Sequence, residues 1–316
     1  MVRLGSFAQA AEAFWKSETL ITLGSRSCIL TGANGFVGSR LKGRLERDGW
    51  RVVAWTRQPQ PGTEEVAFHL GQDVDSSLLK GAQALVHCAY DFGPRRWEDI
   101  AAVNVAGSQE LFSAARAAGV RSVVFVSSLS AFAGCQSLYG KAKVEIEGFA
   151  QSMGAFVIRP GRVYSDNPGE MFGRLVRQVR DARFVPIIWG GWQVQYLLHD
   201  EDLGNLVQGC LAGWVPARAE PITIAHEQGW ELKEILTQIA RALGKRVAFV
   251  PVPWQLAWLG LKSLEFAGAQ PNFRSDSLIS LVYQNPRPFF ALLMSLGFQC
   301  RPFQLSPAML AQSIAL

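Results

Sequence analysis

Cysteine is scarce and scattered: Cys28, Cys88, Cys135, Cys210 and Cys300 are the only five in 316 residues, and no CxxC pair occurs. Buried free thiols in a reducing compartment are expected, with Cys28 and Cys88 inside core strands and no metal site. No extended run of Lys or Arg occurs, so the net charge of +5 gives little reason to expect nucleic acid as a partner. No stretch approaches the roughly 20 apolar residues that a transmembrane span requires. The leader, residues 1–26, breaks its apolar residues with Arg3, Glu12, Lys16, Glu18 and Arg26, and so lacks the uncharged core of a signal peptide. A cytoplasmic protein is expected, with a short helix over Phe7–Trp15 in the leader. A hydrophobic content of 49% against 18% charged excludes a disordered chain and allows a full core.

What is present begins at Ser27-Cys28-Ile29-Leu30-Thr31-Gly32-Ala33-Asn34-Gly35-Phe36-Val37-Gly38. An apolar run ends at a glycine, two more glycines follow at three-residue spacing, and amphipathic periodicity continues through Leu41 and Leu45. That is strand, tight turn and helix. The first glycine lets the chain reverse, the second lets backbone approach a phosphate, and the third lets helix pack on strand. The helix N-terminus then faces the anion.

Downstream, Arg51–Trp55 reads as a second buried strand, since its inner residues are continuously apolar. Where a dinucleotide site usually places a carboxylate for the adenosine ribose, this chain offers none and has Arg57 instead. A guanidinium pairs with a 2′-phosphate, so NADP(H) is expected over NAD(H), unless Arg57 is simply a solvated surface residue. Val66–Leu70 reads as a third strand, with Asp73 beyond it either reaching the adenine or capping a turn. Ala84–Tyr90 reads as a fourth strand, in which His87 is expected to be a packed core residue. A long helix over Trp97–Ala118 holds Asn104, and Ser122–Val126 is a fifth strand running into Ser127, Ser128 and Ser130. Strands alternating with helices specify an α/β fold with a doubly wound parallel sheet.

Tyr139 and Lys143 are four residues apart, so a helix puts both on one face. An ammonium near a phenol favours the phenolate and lowers its pKa, which suits proton exchange with a substrate oxygen near neutral pH. A serine hydroxyl from the preceding strand end would hold the same oxygen.

With these motifs in place, the chain resembles the short-chain dehydrogenase/reductase superfamily, in its extended, epimerase/dehydratase-like branch. The resemblance rests on Thr31–Gly38 with Tyr139-x-x-x-Lys143, and continues at Asp73-Val74, Asn104–Gly107, Phe125–Ser128, Ile158–Tyr164 and His199–Leu203. It reaches Leu243-Gly244-Lys245 and Val250–Pro253, covering roughly residues 27–300. It implies a Rossmann domain over 27–164 and a smaller, mainly substrate-binding lobe over 165–316, with segments returning to the first. It further implies Tyr139 as acid/base, Lys143 on the nicotinamide ribose, and Asn104 supporting a water chain. Pro160, Gly161 and Val163 would line the nicotinamide, and Ala89 and Val74 the rest of the cofactor path. Ser128 is the first choice for the active serine, with Ser127 and Ser130 as neighbours able to replace it.

The distal half bears on the substrate. Residues 204–212 and 230–243 read as helices. Arg174, Arg177 and Arg180 repeat every three residues, as either a solvated stripe or a cluster for an anionic substrate. Val185–Trp192 reads either as a wall for an apolar carbonyl or alcohol or as a hairpin capping the lobe. No acidic pair follows the serine strand end, which lowers the rank of dehydratase chemistry. Pro253–Ala267 is rich in large apolar residues, expected to pack on the lobe or on a second subunit, with a membrane-surface contact as the alternative. The expected activity is NADP(H)-dependent reduction of a carbonyl on a small, largely apolar substrate, or the reverse oxidation. The rivals are a nucleotide-sugar epimerase with a tightly held cofactor and a non-catalytic NADP(H)-binding subunit.

Overall fold

A computed structural model describes residues 26–166, 170–216, 219–269, 271 and 273–311. The helix expected over Phe7–Trp15 lies outside the described residues. Among the described residues, seven parallel strands form the central sheet in the spatial order β3-β2-β1-β4-β5-β6-β10. They are β1 (Arg26–Thr31), β2 (Trp50–Thr56), β3 (Val66–Ala67), β4 (Ala84–His87), β5 (Ser122–Val126), β6 (Phe156–Pro160) and β10 (Ile222–Ile224). Alternation along each strand feeds two cores. Cys28, Leu30, Val124 and Val126 face one side, with Leu41 and Leu45 of α1 (Phe36–Arg47) and Leu203, Leu206 and Val207 of α6 (Asp200–Leu211). Ile29, Leu85 and Phe125 face the other, with Leu111 and Phe112 of α3 (Gly107–Ala117) and Ile146 and Ala150 of α4 (Leu138–Ser152). Burial on both faces is what a parallel sheet flanked by crossover helices requires.

Several elements differ from the sequence reading, each for a local reason. The strand expected over Val66–Leu70 stops at Ala67, because its partner β2 ends at Thr56 and Gly71 then turns the chain at a φ of +79°. The strand expected over Ala84–Tyr90 ends at His87, where the ladders to β1 and β5 both run out. Cys88 and the residues after it continue as a loop. The helix expected over Trp97–Ala118 is regular only at its ends, α2 (Trp97–Ile100) and α3. Ala101–Ala106 between them is a π segment, a feature frequent at functional sites. The helix expected from residue 204 starts at Asp200, because the His199 side chain caps it by accepting the Glu201 N–H.

The distal lobe has its own core. Val176 and Val179 of α5 (Glu170–Asp181) meet Ile235 and Ile239 of α7 (Leu232–Ala242) and the inward residues of β8 (Phe184–Ile188). β7 (Arg162–Tyr164), β9 (Val194–His199) and β11 (Gly229–Glu231) form a three-stranded sheet beside it. The stretch Val185–Trp192 is not a hairpin: β8 pairs in parallel with β12 (Ala248–Val252), and a 3-10 turn follows at Trp189–Gly191. Pro253 then opens α8 (Trp254–Phe266), and α9 (Ser275–Val282) follows. Among the described residues no helix is long and apolar enough to cross a membrane.

Candidate active site

Backbone geometry builds the first part of the site. Gly32 ends β1 with a φ of +69° and donates its N–H to Trp55 O at 3.0 Å. A Cβ there would meet Ala89 N at 2.8 Å, and a Cβ at Gly38 would overlap the Gly32 carbonyl, so helix, turn and the strand-end loop sit in direct contact. The N-cap of α1 is Gly35, with no side-chain cap and no acidic residue in the first turn. The amides of that turn and the positive end of the helix dipole therefore face outward unopposed, an arrangement that fits the pyrophosphate of a dinucleotide.

A cleft of about 2350 Å³ runs from this turn to the distal lobe. Every cofactor or catalytic residue nominated from the sequence lines it except Asp73, Val74 and Asn104. Asp73 is exposed, and the cap of the following turn is Asp75, whose carboxylate accepts the Ser77 N–H at 2.9 Å. The Val74 N–H is taken by Glu110 at 3.0 Å, while the nearby Leu70 and Gln72 reach the cleft. Asn104 is fully buried on the π segment and clamps Asp91. Its Oδ1 accepts the Asp91 N–H at 2.7 Å, and its Nδ2 donates to Asp91 O at 3.0 Å. Arg57 is 70% exposed at the rim, with Nη1 3.6 Å from an Asp91 carboxylate oxygen.

The three serines are separated by their partners. Ser127 Oγ donates to Glu147 at 2.5 Å, in a buried set that Arg159 completes by binding the same carboxylate through two nitrogens at 2.9 and 2.5 Å. Ser130 Oγ meets Ser280 Oγ at 2.8 Å. Ser128 Oγ accepts the Ser130 N–H at 3.1 Å, and its side chain hydrogen-bonds the Tyr139 phenol.

Tyr139 stands in the first turn of α4. Ser137 caps that turn by accepting the Gly140 N–H at 3.1 Å, and a Cβ on Gly140 would overlap Ser130 O. The helix start is therefore pressed onto the serine loop, which brings phenol and Ser128 together. Burial pushes the Tyr139 phenol up to about 12, against the Ser128 hydrogen bond, which pulls it down. This corrects the expectation of a phenol depressed by Lys143. The Lys143 Nζ donates to Val126 O at 3.0 Å and lies 5.9 Å from the Tyr139 ring centre, and desolvation outweighs it. Burial in turn pushes the Lys143 ammonium down to about 8. A protonated phenol beside a serine hydroxyl can give a proton to an oxygen placed between them.

Two aromatic neighbours escaped the sequence reading. Tyr90 packs edge-on to Tyr139 at 4.9 Å between ring centres, and Phe92 stacks on it at 5.7 Å. The signal was the polar and aromatic run directly after a strand that points at the cleft. His87 is a packed core histidine, between Thr31 Oγ1 at 2.7 Å and Ser108 Oγ at 3.0 Å, and desolvation pushes it down to about 3. The arginine stripe divides: Arg174 lines the cleft, Arg177 does not, and Arg180 pairs with Asp181 at 2.7 Å. Among the described residues no group of His, Cys, Asp or Glu is arranged to hold a metal.

Comparison with known proteins agrees with this architecture. The chain is 27% identical over 237 residues to a ceramide reductase of Caulobacter vibrioides, covering 71% of this chain and 73% of that one. It is 26% identical over 265 residues to a UDP-glucose 4-epimerase of Vibrio cholerae, covering 72% and 79%. Among solved structures it is similar to TunA, described as an NAD dependent NDP-hexosamine 5,6-dehydratase, with a TM-score of 0.66 at 17% identity over 91% of this chain and 96% of that one. That last likeness concerns the fold. The pattern defining the NAD dependent epimerase/dehydratase family matches residues 28–208, more than half of the chain. By that match the protein belongs to the NAD dependent epimerase/dehydratase family.

Proposed function

We propose that the protein is an NADP(H)-dependent carbonyl reductase for a largely apolar substrate, with Tyr139 as proton donor. The observation that carries this reading is the convergence of Ser128, a protonated Tyr139 and a buried Lys143 on one wall of the cleft. A nicotinamide cofactor, held at the Gly32–Gly38 turn, would supply the hydride. Ser128 and Tyr139 hold the carbonyl oxygen, and the phenol proton passes to that oxygen as negative charge develops on it. Lys143 stabilises the phenolate left behind. Asn104 fixes the loop that carries Tyr90 and Asp91. Arg57 at the rim supports NADP(H), because its guanidinium can pair with a 2′-phosphate that a carboxylate would repel. The apolar lining at Ile187, Ile188, Leu236 and Trp258, together with the ceramide reductase among the relatives, supports a substrate of low polarity.

The test is Tyr139→Phe. Turnover of an accepted carbonyl should fall by about 10²–10⁴-fold with NADPH affinity retained, and a variant keeping most of its turnover would remove this mechanism.

A nucleotide-sugar epimerase is the second reading. Arg162 and Arg174 both line the cleft, and one relative is a UDP-glucose 4-epimerase. An epimerase returns its hydride within each cycle and retains its cofactor, so an absorbance scan of the purified protein separates the two.

A further inference from the structure

We infer that the substrate carries a straight hydrocarbon chain, which lies along the outer face of the β8–β12 ribbon while its carbonyl end sits in the cleft. This rests on the reductase reading above and specifies its substrate class. The ribbon pairs Phe184 with Ala248, Pro186 with Val250 and Ile188 with Val252. Of the four alternate residues, Val185, Ile187 and Phe249 turn into the distal core and Pro251 is exposed, and the six residues of the three pairs above lie on the opposite face. None of the six is polar. Phe184 is 68% exposed and Val250 43%, with Pro186 and Ala248 exposed beside them. A sheet face that meets water ordinarily carries polar residues, so this strip is an exception.

The strip does not end at the surface. Pro186, Ile188 and Val252 also line the cleft, and Ala257 and Trp258 of α8 continue its wall. Whatever covers the strip therefore shares residues with whatever fills the cleft. One molecule doing both has a reactive head and an apolar tail. The strip is two strands wide and about 13 Å long at strand spacing, a shape suited to an extended chain and not to a sugar ring. A second observation marks the junction. Trp189, directly after β8, has a φ of +46°, the one non-glycine residue with positive φ among the described residues. That backbone is unfavourable for a bulky side chain, and it holds the indole 62% exposed next to the strip.

The test uses the full chain with NADPH and a homologous series of straight-chain 2-alkanones, from short to long. One readout is kcat/KM for each ketone by NADPH oxidation. The other is displacement of a dansyl-labelled fatty acid, which needs no turnover. The expected result is a rise in kcat/KM of about fourfold per added methylene, until the chain reaches Phe184. Phe184→Asp and Val250→Asp should flatten that rise and weaken probe binding about tenfold or more, with NADPH affinity and turnover of the shortest ketone unchanged. Both positions are exposed, so melting temperatures should match the parent; Val250→Ala, with a partial effect, guards against a folding artefact. A flat chain-length series, or variants that bind the probe like the parent, overturns the proposal. So does a Val250→Asp variant that changes oligomeric state while keeping the parental series, which assigns the strip to a second copy of the chain. If no ketone is reduced but probe binding is lost in the variants and long ketones displace the probe better than short ones, the chain site stands and the reductase reading falls.

Discussion

The carboxylate of Asp276 accepts the backbone N–H of Tyr139 at 3.0 Å through one oxygen and that of Leu138 at 2.8 Å through the other. A residue of α9, distant in sequence, thus closes the N-terminus of the helix that carries the phenol. Asp276→Ala should cost about 1–2 kcal/mol in a denaturant titration. It should also lower kcat more than it raises KM for the ketone, because the phenol loses its fixed position. Asp276→Asn, which keeps one acceptor oxygen, should recover part of both.

Arg57 sets a separable test of cofactor choice. It is mostly exposed, so its ion pair is screened and its effect modest. Arg57→Ala should raise KM for NADPH by about three- to tenfold and leave NADH unchanged. A parent protein that binds NADH more tightly than NADPH in a fluorescence titration would remove the preference.

The Glu147–Arg159 pair lies beneath the serine loop, with the carboxylate almost fully buried. Arg159→Leu strands that charge away from water, which should destabilise the fold by about 3–5 kcal/mol. Replacing both residues with apolar ones should cost much less. Urea unfolding of the single and double variants measures the difference.

Lys143 predicts one limb of the pH profile. Burial holds its ammonium near 8, below the ordinary lysine value, so the charge is present at neutral pH and lost as pH rises through that point. Reductive kcat/KM, which reports the free enzyme, should decline above about 8. Lys143→Arg, charged throughout that range, should abolish the limb at a lower overall rate.

His87 predicts the acid side of stability. Its folded pKa lies near 3, below the ordinary 6.5, so between these values the unfolded chain binds a proton that the folded chain does not. The stability it contributes is complete above 6.5 and is lost as pH falls toward 3. Melting temperatures of the parent and of His87→Gln, compared from neutral to acid pH, should show the steeper fall in the parent.

The fold was legible where local pattern and global need coincide. Ile29, Leu85 and Phe125 sit in apolar runs that a two-sided parallel sheet demands, and Gly32, Gly35 and Gly38 mark a turn that tolerates no Cβ at its ends. Tyr139 and Lys143 were readable because helical spacing alone puts them on one face. The choice among Ser127, Ser128 and Ser130 was not, since it depends on Glu147, Ser280 and Tyr139, partners far along the chain. Asp276 was invisible for the same reason. The sign of the phenol's shift was misjudged because spacing reports a neighbour's charge but not the loss of water around it.

The wide turn at Ala101–Ala106 has a consequence for insertions and deletions. Hydrogen bonds that skip five residues make this turn wider than the regular helix on either side of it, and the turn carries the buried Asn104 and Val105. The extra residue acts as a phase shifter between the halves of a single rod. Excising one residue there would leave composition and hydrophobicity almost untouched, yet rotate everything ahead of it out of step, and Asn104 would lose its grip on Asp91 before any core contact was trimmed.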